Sequence, residues 1–306
     1  MAGSIRGFVL TDVMDVDSRE GLRAESLSFG QLALRRFVRH RLAIVSLVML
    51  ALMVIAFFFA GRLSNYSFDA VDVTKRLQNP SREHPFGTDE IGRDLFVRTM
   101  LGGQYSVRVA LQVALLATAI GTVLGAIAGY FGRIIDTLIS QVINLILIVP
   151  ALIVLAVFAQ RFGGSPVGLA LVLSALLWTR IARVVRGVVM QYKEQEFVLA
   201  AKAVGARPGR IVGRHILPNV VGSVLVEITL LLGTAIVLES TLSFLGLGVQ
   251  PPIPTLGNLI QQSKGAIDDA PLRVLLPGFF VVFFVLFINF LGDGLRDALD
   301  PRSKRQ

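Results

Sequence analysis

The chain contains no cysteine, and only 17% of its 306 residues are charged. The lack of cysteine excludes disulfides, thiolate catalysis and cysteine-ligated metals. A soluble domain has about a quarter of its residues charged, whereas 54% of this chain is hydrophobic and its mean hydropathy is +0.69. The apolar excess must therefore face something other than water, which indicates a membrane protein.

The chain also lacks the phosphate-binding sequence G-x-x-x-x-G-K-[ST], and it contains no Gly-Lys pair. Any ATP chemistry therefore has to lie on a partner. The first ~40 residues have no apolar core of the signal-peptide type, so we expect the first hydrophobic run to remain as a span. The net charge of +9 is more typical of basic cytoplasmic loops than of nucleic-acid binding.

Six hydrophobic stretches are candidates for membrane-spanning helices. They cover residues 42–60, 109–131, 138–159, 166–179, 220–240 and 274–291. Pro150 breaks one backbone hydrogen bond inside the third stretch. The fourth stretch is short, and we expect its helix to extend by one turn beyond the stretch at each end. The sequence therefore predicts an all-α integral membrane protein with six transmembrane helices.

Basic residues are concentrated on one side of these spans. The segments 1–41, 132–137, 180–219 and 292–306 hold 20 of the 30 Lys and Arg residues. Since cytoplasmic loops are enriched in Lys and Arg, this pattern predicts that both termini lie inside. The first outer loop is near neutral, because its six basic residues are balanced by six acidic ones.

The cytoplasmic segment 196–219 begins with the pattern of a short helix. Phe197, Ala200, Ala201 and Val204 share one side of it. The alanines leave a thin surface that another backbone can approach closely. This pattern predicts a helix with small side chains on one face that projects from the membrane.

A turn and a second short helix are predicted to follow. Gly205 is placed to end the first helix, and Pro208 suits the first turn of the next. We expect Pro218 to stop the second helix. The basic residues of the segment would equally favour a helix lying on anionic lipid. The residues alone leave lipid and protein partners open.

The same segment resembles the EAA loop of ABC-importer permeases, in which Ala-Ala, a glycine four residues later and a terminal Leu-Pro recur. The matching residues are Ala200, Ala201, Gly205, Leu217 and Pro218. The resemblance implies that 196–219 docks a separate ATPase, and we include Glu196 and His215 among the coupling residues. Leu199 stands where the acidic residue that names the loop would fall.

Three further stretches, 84–94, 243–252 and 292–302, resemble the C-type permease subunit of dipeptide/oligopeptide ABC importers (DppC/OppC-like). The resemblance extends from about residue 35 to the end of the chain. Leu256 departs from it, because relatives often place tryptophan there, and we expect this change at the outer mouth of the pathway.

The resemblance implies a type I ABC importer permease fold in a bacterial cell membrane, and a transport subunit rather than an enzyme. The implied partners are a second, B-type permease subunit, one or two ABC ATPase subunits that bind ATP and Mg²⁺, and an extracytoplasmic peptide-binding protein. The chain itself is expected to carry no cofactor and no metal. The implied cargo is dipeptides or oligopeptides, and the alternative is nickel chelates or another small solute.

The predicted parts of the chain follow from the spans and the resemblance. They are a cytoplasmic N-terminal segment at 1–41, a first transmembrane helix at 42–61, an extracytoplasmic loop at 62–104, an ABC permease core of five transmembrane helices at 105–297 and a cytoplasmic tail at 298–306.

Charged and amide side chains inside the spans are candidates for the translocation path, because burial of such groups in a membrane is costly. Glu239 could meet a peptide ammonium at the outer mouth, and the alternatives are an ion pair with a partner subunit or hydration. Glu227 and Asn144 are also candidates, although we expect them, with Arg108 and Gln141, to satisfy one another or line water.

Two other functional classes make different demands on the sequence. A membrane enzyme would need a Ser/Lys or Asp/Asp constellation or metal ligands at membrane depth, but the spans contain only two isolated glutamates. His84 has no His-Glu-x-x-His pattern around it. A stand-alone secondary transporter would show repeats and broken helices, and it would not need the 196–219 segment.

Overall fold

The computed structural model describes residues 29–299. Within these residues the only β-pairing is an isolated bridge between Thr88 and Asp94, and every longer element is helical. Residues 1–28 of the predicted N-terminal segment and residues 300–306 of the predicted tail lie outside the described residues.

The helices follow one another with short connections, apart from the loop between α2 and α3. They are α1 (Phe29–Arg39), α2 (Arg41–Phe59), α3 (Leu95–Phe131), α4 (Arg133–Ile148), α5 (Ala151–Phe162), α6 (Pro166–Lys193), α7 (Glu196–Ala203), α8 (Pro208–Arg210), a π-helical turn (Ile211–Ile216), α9 (Leu217–Phe244), α10 (Leu256–Ser263) and α11 (Leu272–Leu299). Short 3₁₀ turns cover Ala60–Leu63, Val73–Lys75 and Lys264–Ala266.

Polar side chains fix the starts of several of these helices. The Asp94 carboxylate accepts a hydrogen bond of 2.8 Å from the backbone N–H of Val97 at the start of α3. Ser165 does the same for Gly168 at the start of α6, at 3.1 Å. Such caps satisfy backbone N–H groups that have no partner inside the helix.

Five helical segments are long and apolar enough to cross a membrane, and the pair α4–α5, bent by 87°, passes the same test together. The packing of α3 on α6 shows what the bent pair does. Gly121 of α3 lies against Trp178 and Ile181 of α6, whereas Gly129, further along α3, lies against Arg186 and Val189. The two helices therefore run parallel, and residues 132–165 must connect opposite ends of the bundle.

This geometry agrees with six spans. Because α3 ends on the side opposite to the start of α6, the bent α4–α5 pair makes one crossing rather than returning to the same side. The remaining spans alternate in direction, since Gly222 of α9 lies near Leu299 of α11 and Gly233 lies near Ile288. The two ends of the described chain lie on one side, which the charge pattern assigns to the cytoplasm.

Two helices extend beyond the predicted boundaries. Asp94 caps α3, so this helix begins at Leu95, inside the outer loop predicted at 62–104. The helix of the fourth span, predicted at 166–179, continues to Lys193, with its arginines paired to neighbouring helices. The third span is broken at Pro150 rather than continuous.

Pro218 does not stop a helix, contrary to the prediction. It lies in the first turn of α9, directly after the π-helical turn, and residues 208–244 form one continuous helical segment. A proline is tolerated in the first turn of a helix because its missing N–H group is not needed there. The wider π turn that precedes it removes the need for a break.

The core consists of two apolar clusters at different depths. The outer one includes Phe57, Val109, Leu173 and Phe284, and the inner one includes residues of α3, α6 and α9 together with Val198 of α7. Large apolar side chains on α2 remain exposed, for example Leu52 with 56% of its surface accessible. These side chains face lipid in a membrane protein.

Candidate functional site

The first half of the 196–219 segment confirms the prediction. α7 covers Glu196–Ala203, and Gly205 follows with a φ of +80°. The Gly205 N–H donates to the carbonyl oxygen of Lys202 at 2.9 Å, and the Ala206 N–H donates to that of Ala201 at 3.0 Å. Glycine adopts this positive φ without strain, so the turn needs a glycine at this position.

One side of α7 is exposed and largely apolar, and its Phe197 ring lies 6.4 Å from that of Tyr192 on α6. Phe197 is 43% exposed, Leu199 is 47% exposed and Val204 is 85% exposed. Ala200 lies between them and is exposed as well. Exposed apolar patches are typical of surfaces that bind another protein or a membrane.

The opposite side of α7 is held against the membrane helices. Val198 is fully buried in the inner core cluster with Ile211 and Ile216. The ammonium group of Lys202 lies 5.9 Å from the ring centroid of Tyr130 at the end of α3. These contacts seat α7 on the cytoplasmic ends of the bundle.

The remaining predicted coupling residues lie beside α7. Glu196 is exposed in its first turn, and Ala201 is half-buried. His215 is half-buried in the π-helical turn, where its carbonyl oxygen accepts a hydrogen bond of 2.7 Å from the side chain of Asn219. Leu217 is half-buried and Pro218 is exposed. The structure therefore brings the predicted coupling residues into one cytoplasmic region.

Three arginines on α6 hold polar groups of neighbouring helices. Arg180 donates from Nε to Glu227 of α9 at 3.0 Å, and Arg183 donates to the amide oxygen of Asn144 on α4 at 3.0 Å. Arg186 binds Asp136 of α4 through two hydrogen bonds, one of them 2.7 Å long. We call these residues the arginine row. Its spacing of three residues places the side chains on neighbouring positions of one helix.

The arginine row corrects one expectation. Glu227 and Asn144 do not satisfy one another, because each has its own arginine. Arg108, expected to join them, lies instead over the rings of Phe58 and Tyr105, at 5.3 and 5.7 Å from the ring centroids. The row was missed because the fourth span was predicted to end before Arg180. Three arginines spaced three apart beside a hydrophobic run are the signal that could have revealed it.

Glu239 is fully buried in the upper half of α9. Its carboxylate accepts hydrogen bonds from the hydroxyl groups of Ser106 on α3 at 2.8 Å and Ser243 at 2.9 Å. The Ser106 oxygen also accepts a bond of 3.2 Å from the N–H of Leu256 at the start of α10. Glu239 therefore joins three helices. Its role in the translocation path stays a prediction, and it has no surface open to a substrate in this conformation.

Leu256 is buried, with only 1% of its surface exposed, and its expected effect on the outer mouth stays a prediction. It packs in the outer core cluster beneath the loop that follows α9. An apolar side chain is suited to this position whatever the width of the outer opening.

The outer loop is organised by its own charged residues, among them Asp89, Arg93 and Asp94. Arg93 donates to Asp89 at 2.6 Å, and His84 bonds to Asp94 at 2.7 Å with both side chains buried. At the exposed surface, hydrogen bonds from the hydroxyl and N–H of Thr74 lower the pKa of Asp72. Within the described residues no group of His, Asp and Glu side chains could hold a metal ion.

Comparisons with known families give two matches. The model described as "Binding-protein-dependent transport system inner membrane component" matches residues 121–305. The model described as "N-terminal TM domain of oligopeptide transport permease C" matches residues 28–80. Together they cover most of the chain.

Curated relatives match over nearly their whole length. The dipeptide transport system permease protein DppC of Alkalihalophilus pseudofirmus is 42% identical, over 89% of this chain and 90% of the relative. The oligopeptide transport system permease proteins OppC of Bacillus subtilis and Escherichia coli are 36% and 39% identical, over 94% and 93% of this chain and 94% and 95% of the relatives.

A solved structure of the MetNI methionine ABC transporter in an inward-facing conformation is similar in fold. Its TM-score is 0.53 at 21% identity, and the match covers 65% of this chain and 94% of that chain. At this identity the likeness concerns the fold alone. It agrees with the arrangement of parallel and antiparallel helices described above.

Proposed function

Because the chain belongs to the family of binding-protein-dependent transport system inner membrane components, we propose that it is the permease subunit of an ATP-driven importer of dipeptides or oligopeptides. It is a multi-pass protein of the inner membrane. The observation that carries the proposal is the exposed apolar side of α7, seated on α3 and α6, in a chain that has no phosphate-binding loop.

The proposed partners follow from what the chain has and lacks. ATP and Mg²⁺ are bound by one or two separate ABC ATPase subunits, which contact α7. A second permease subunit of the B type forms the other half of the pathway, and an extracytoplasmic binding protein delivers the cargo. This chain supplies no catalytic group and no cofactor.

In the proposed mechanism, closure of the ATPase subunits moves the 196–219 segment. Val198 and Lys202 carry the movement to the ends of α6 and α3, and the arginine row carries it from α6 to α4 and α9. The third to sixth spans then tilt, with α3 carried along by its close packing on α6, and expose the pathway to the outside. The core region 105–297 thus acts as the moving part, with the first helix at its edge.

The cargo is proposed from the relatives. The relatives with 36 to 42% identity are named dipeptide or oligopeptide permeases, so peptides are the first substrates to test. Uptake of radiolabelled alanyl-alanine by cells with and without this chain distinguishes peptides from nickel chelates. Uptake of nickel chelate alone would support the alternative cargo.

Docking can be tested by purifying the tagged chain from its own membranes and identifying bound proteins by mass spectrometry. We expect an ATPase that carries a phosphate-binding loop. Ala200→Trp should abolish its recovery, because the bulky ring blocks the thin side of α7. Gly265→Trp is the matched control, since Gly265 lies on the outer side in open space. Recovery of the ATPase with Ala200→Trp would contradict the docking site.

Coupling can be separated from docking at Gly205. A side chain added at Gly205 meets no atom within 4 Å, but the φ of +80° strains it. Gly205→Trp should therefore preserve assembly and lower substrate-stimulated ATP hydrolysis of the reconstituted complex. Normal substrate stimulation of ATP hydrolysis in this variant would contradict a coupling role for the turn.

A further inference from the structure

A cavity of about 570 Å³ lies on the outer side of the chain. Its walls come from the outer loop, the connection between α9 and α10, the α10 helix and the first turn of α11. The volume is within the range of small-molecule sites, roughly 300–1,000 Å³. The cavity is separate from the 196–219 segment and from the arginine row.

Four charged side chains line the cavity: Asp89, Glu90, Arg93 and Arg273. Asp89 and Arg93 neutralise one another through the 2.6 Å bond between them. Glu90 is exposed on the outer loop. One carboxylate and one guanidinium therefore remain to face a ligand.

Arg273 is the unusual member of this set. Only 9% of its surface is exposed, yet the one hydrogen bond that its guanidinium makes within residues 29–299 goes to the backbone oxygen of Gln78 at 3.3 Å. No carboxylate within residues 29–299 forms an ion pair with it. A buried charge without a counter-charge is costly, so the guanidinium is suited to receive an anion from outside the chain.

The surroundings of Arg273 favour an anion as well. It is the second residue of α11, a helix of 28 residues. The helix dipole favours negative charge near this end, although the N–H groups of residues 273–275 already donate to the carbonyl oxygens of Ala270 and Pro271. A carboxylate can pair with the planar donor fork of arginine through two parallel hydrogen bonds.

We propose that the outer cavity binds a zwitterionic peptide-like ligand, whose carboxylate pairs with Arg273 and whose ammonium group lies toward Glu90. This site would receive cargo at the outer side before it enters the pathway, and the proposal rests on the proposed peptide cargo. The Asp89–Arg93 pair and Gln262, which accepts hydrogen bonds from Arg93 and Arg98, would keep the walls of the cavity in place.

The test measures equilibrium binding of radiolabelled alanyl-alanine to the full transporter complex in nanodiscs, without the binding protein. Arg273→Gln should weaken binding about tenfold, the amount expected for one charge-assisted hydrogen bond. The C-terminal amide of the dipeptide has no carboxylate, so it should bind weakly to the wild type. Its affinity should not fall further in Arg273→Gln. Arg82→Gln, an exposed arginine of the same loop, should leave binding unchanged.

The ammonium side is tested with Glu90→Gln, an exposed change that does not threaten folding. It should weaken binding of alanyl-alanine and have no effect on its N-acetyl derivative. Unchanged dipeptide binding in Arg273→Gln, or no binding to the wild type, would overturn the proposal. Arg273→Gln could instead weaken docking of the binding protein and leave dipeptide affinity unchanged. In that case the carboxylate that pairs with Arg273 belongs to the binding protein, and the proposal is also overturned.

Failure of this proposal and failure of the proposed function give different results. If ATPase recovery depends on Ala200 and alanyl-alanine uptake depends on the chain, the importer function stands whatever Arg273→Gln does. Arg273→Lys keeps the positive charge, and its affinity should lie between those of the wild type and Arg273→Gln.

Discussion

Arg180 of α6 and Glu227 of α9 form an ion pair with 3.0 Å between Nε and Oε2. Both residues lie inside helical segments that are long and apolar enough to span the membrane. The Arg180 side chain is half exposed, whereas that of Glu227 is only 15% exposed. The pair therefore joins two spans at a place where one partner remains accessible from the surface of the subunit.

The pair should contribute modestly to stability. A double-mutant cycle with Arg180→Gln and Glu227→Gln, measured as the free energy of unfolding in detergent, should give a coupling energy of about 1 kcal/mol, since exposure of the arginine weakens the interaction. Arg82→Gln combined with Glu227→Gln should be additive, because Arg82 lies on the outer loop. A coupling energy of zero for the first cycle would show that the contact is not maintained in solution.

The contact between α3 and α6 should be intolerant of side chains. A Cβ added at Gly125 would lie 2.5 Å from the carbonyl oxygen of Ala182, so Gly125→Ala should lower the free energy of unfolding by about 2 kcal/mol.

Gly187→Ala on α6 is the matched control for this change. A Cβ at Gly187 meets no atom within 4 Å, and alanine favours a helix over glycine by up to about 1 kcal/mol. Thermal unfolding of the purified variants measures both effects. Equal stabilities of the two variants would contradict the backbone-to-backbone packing.

Glu239 should act as a structural acceptor. Glu239→Leu leaves the hydroxyl groups of Ser106 and Ser243 without their acceptor, so the free energy of unfolding should fall by about 3 kcal/mol. Glu239→Gln, which keeps an acceptor, should lose less and should leave the KM for peptide uptake unchanged. Asp268→Ala, at an exposed carboxylate, should have no effect. If Glu239→Gln instead raises the KM for peptide uptake at normal stability, a role of Glu239 in the translocation path is supported.

The buried pair of His84 and Asp94 should hold the outer loop in place. Asp94→Ala removes both the cap of α3, worth about 1 kcal/mol, and the partner of a buried histidine. We expect proteolysis of the outer loop to accelerate at least about tenfold, in line with a combined loss above 1.4 kcal/mol. Asp69→Ala, at an exposed aspartate of the same loop, should be cleaved at the wild-type rate.

Features that depend on neighbouring residues in the sequence could be predicted. The hydrophobic runs predicted the membrane-spanning helices, because a helix that crosses a membrane needs about 20 apolar residues. Gly205 and Pro208 predicted the position of the turn after α7, because backbone conformation at glycine and proline depends mainly on the residue itself.

Features that depend on distant residues could not be predicted. The spacing of Arg180, Arg183 and Arg186 is visible in the sequence, but their partners Glu227, Asn144 and Asp136 lie on other helices and could not be assigned from it. Burial of Glu239 follows from hydroxyl groups on α3 and on its own helix. Pro218 was misjudged because the π-helical turn before it has no clear sequence pattern.

The glycine contacts between α3 and α6 have a thermodynamic consequence. Backbones packed this closely cannot slide past one another, so the two helices move as one rigid unit, and the 28 residues of α6 alone extend about 42 Å. One end of this unit carries α7, and the other carries Asp94 and the wall of the outer cavity. If the cavity binds the proposed ligand, this unit links ligand binding to the state of the cytoplasmic side, and by reciprocity each changes the other by the same free energy.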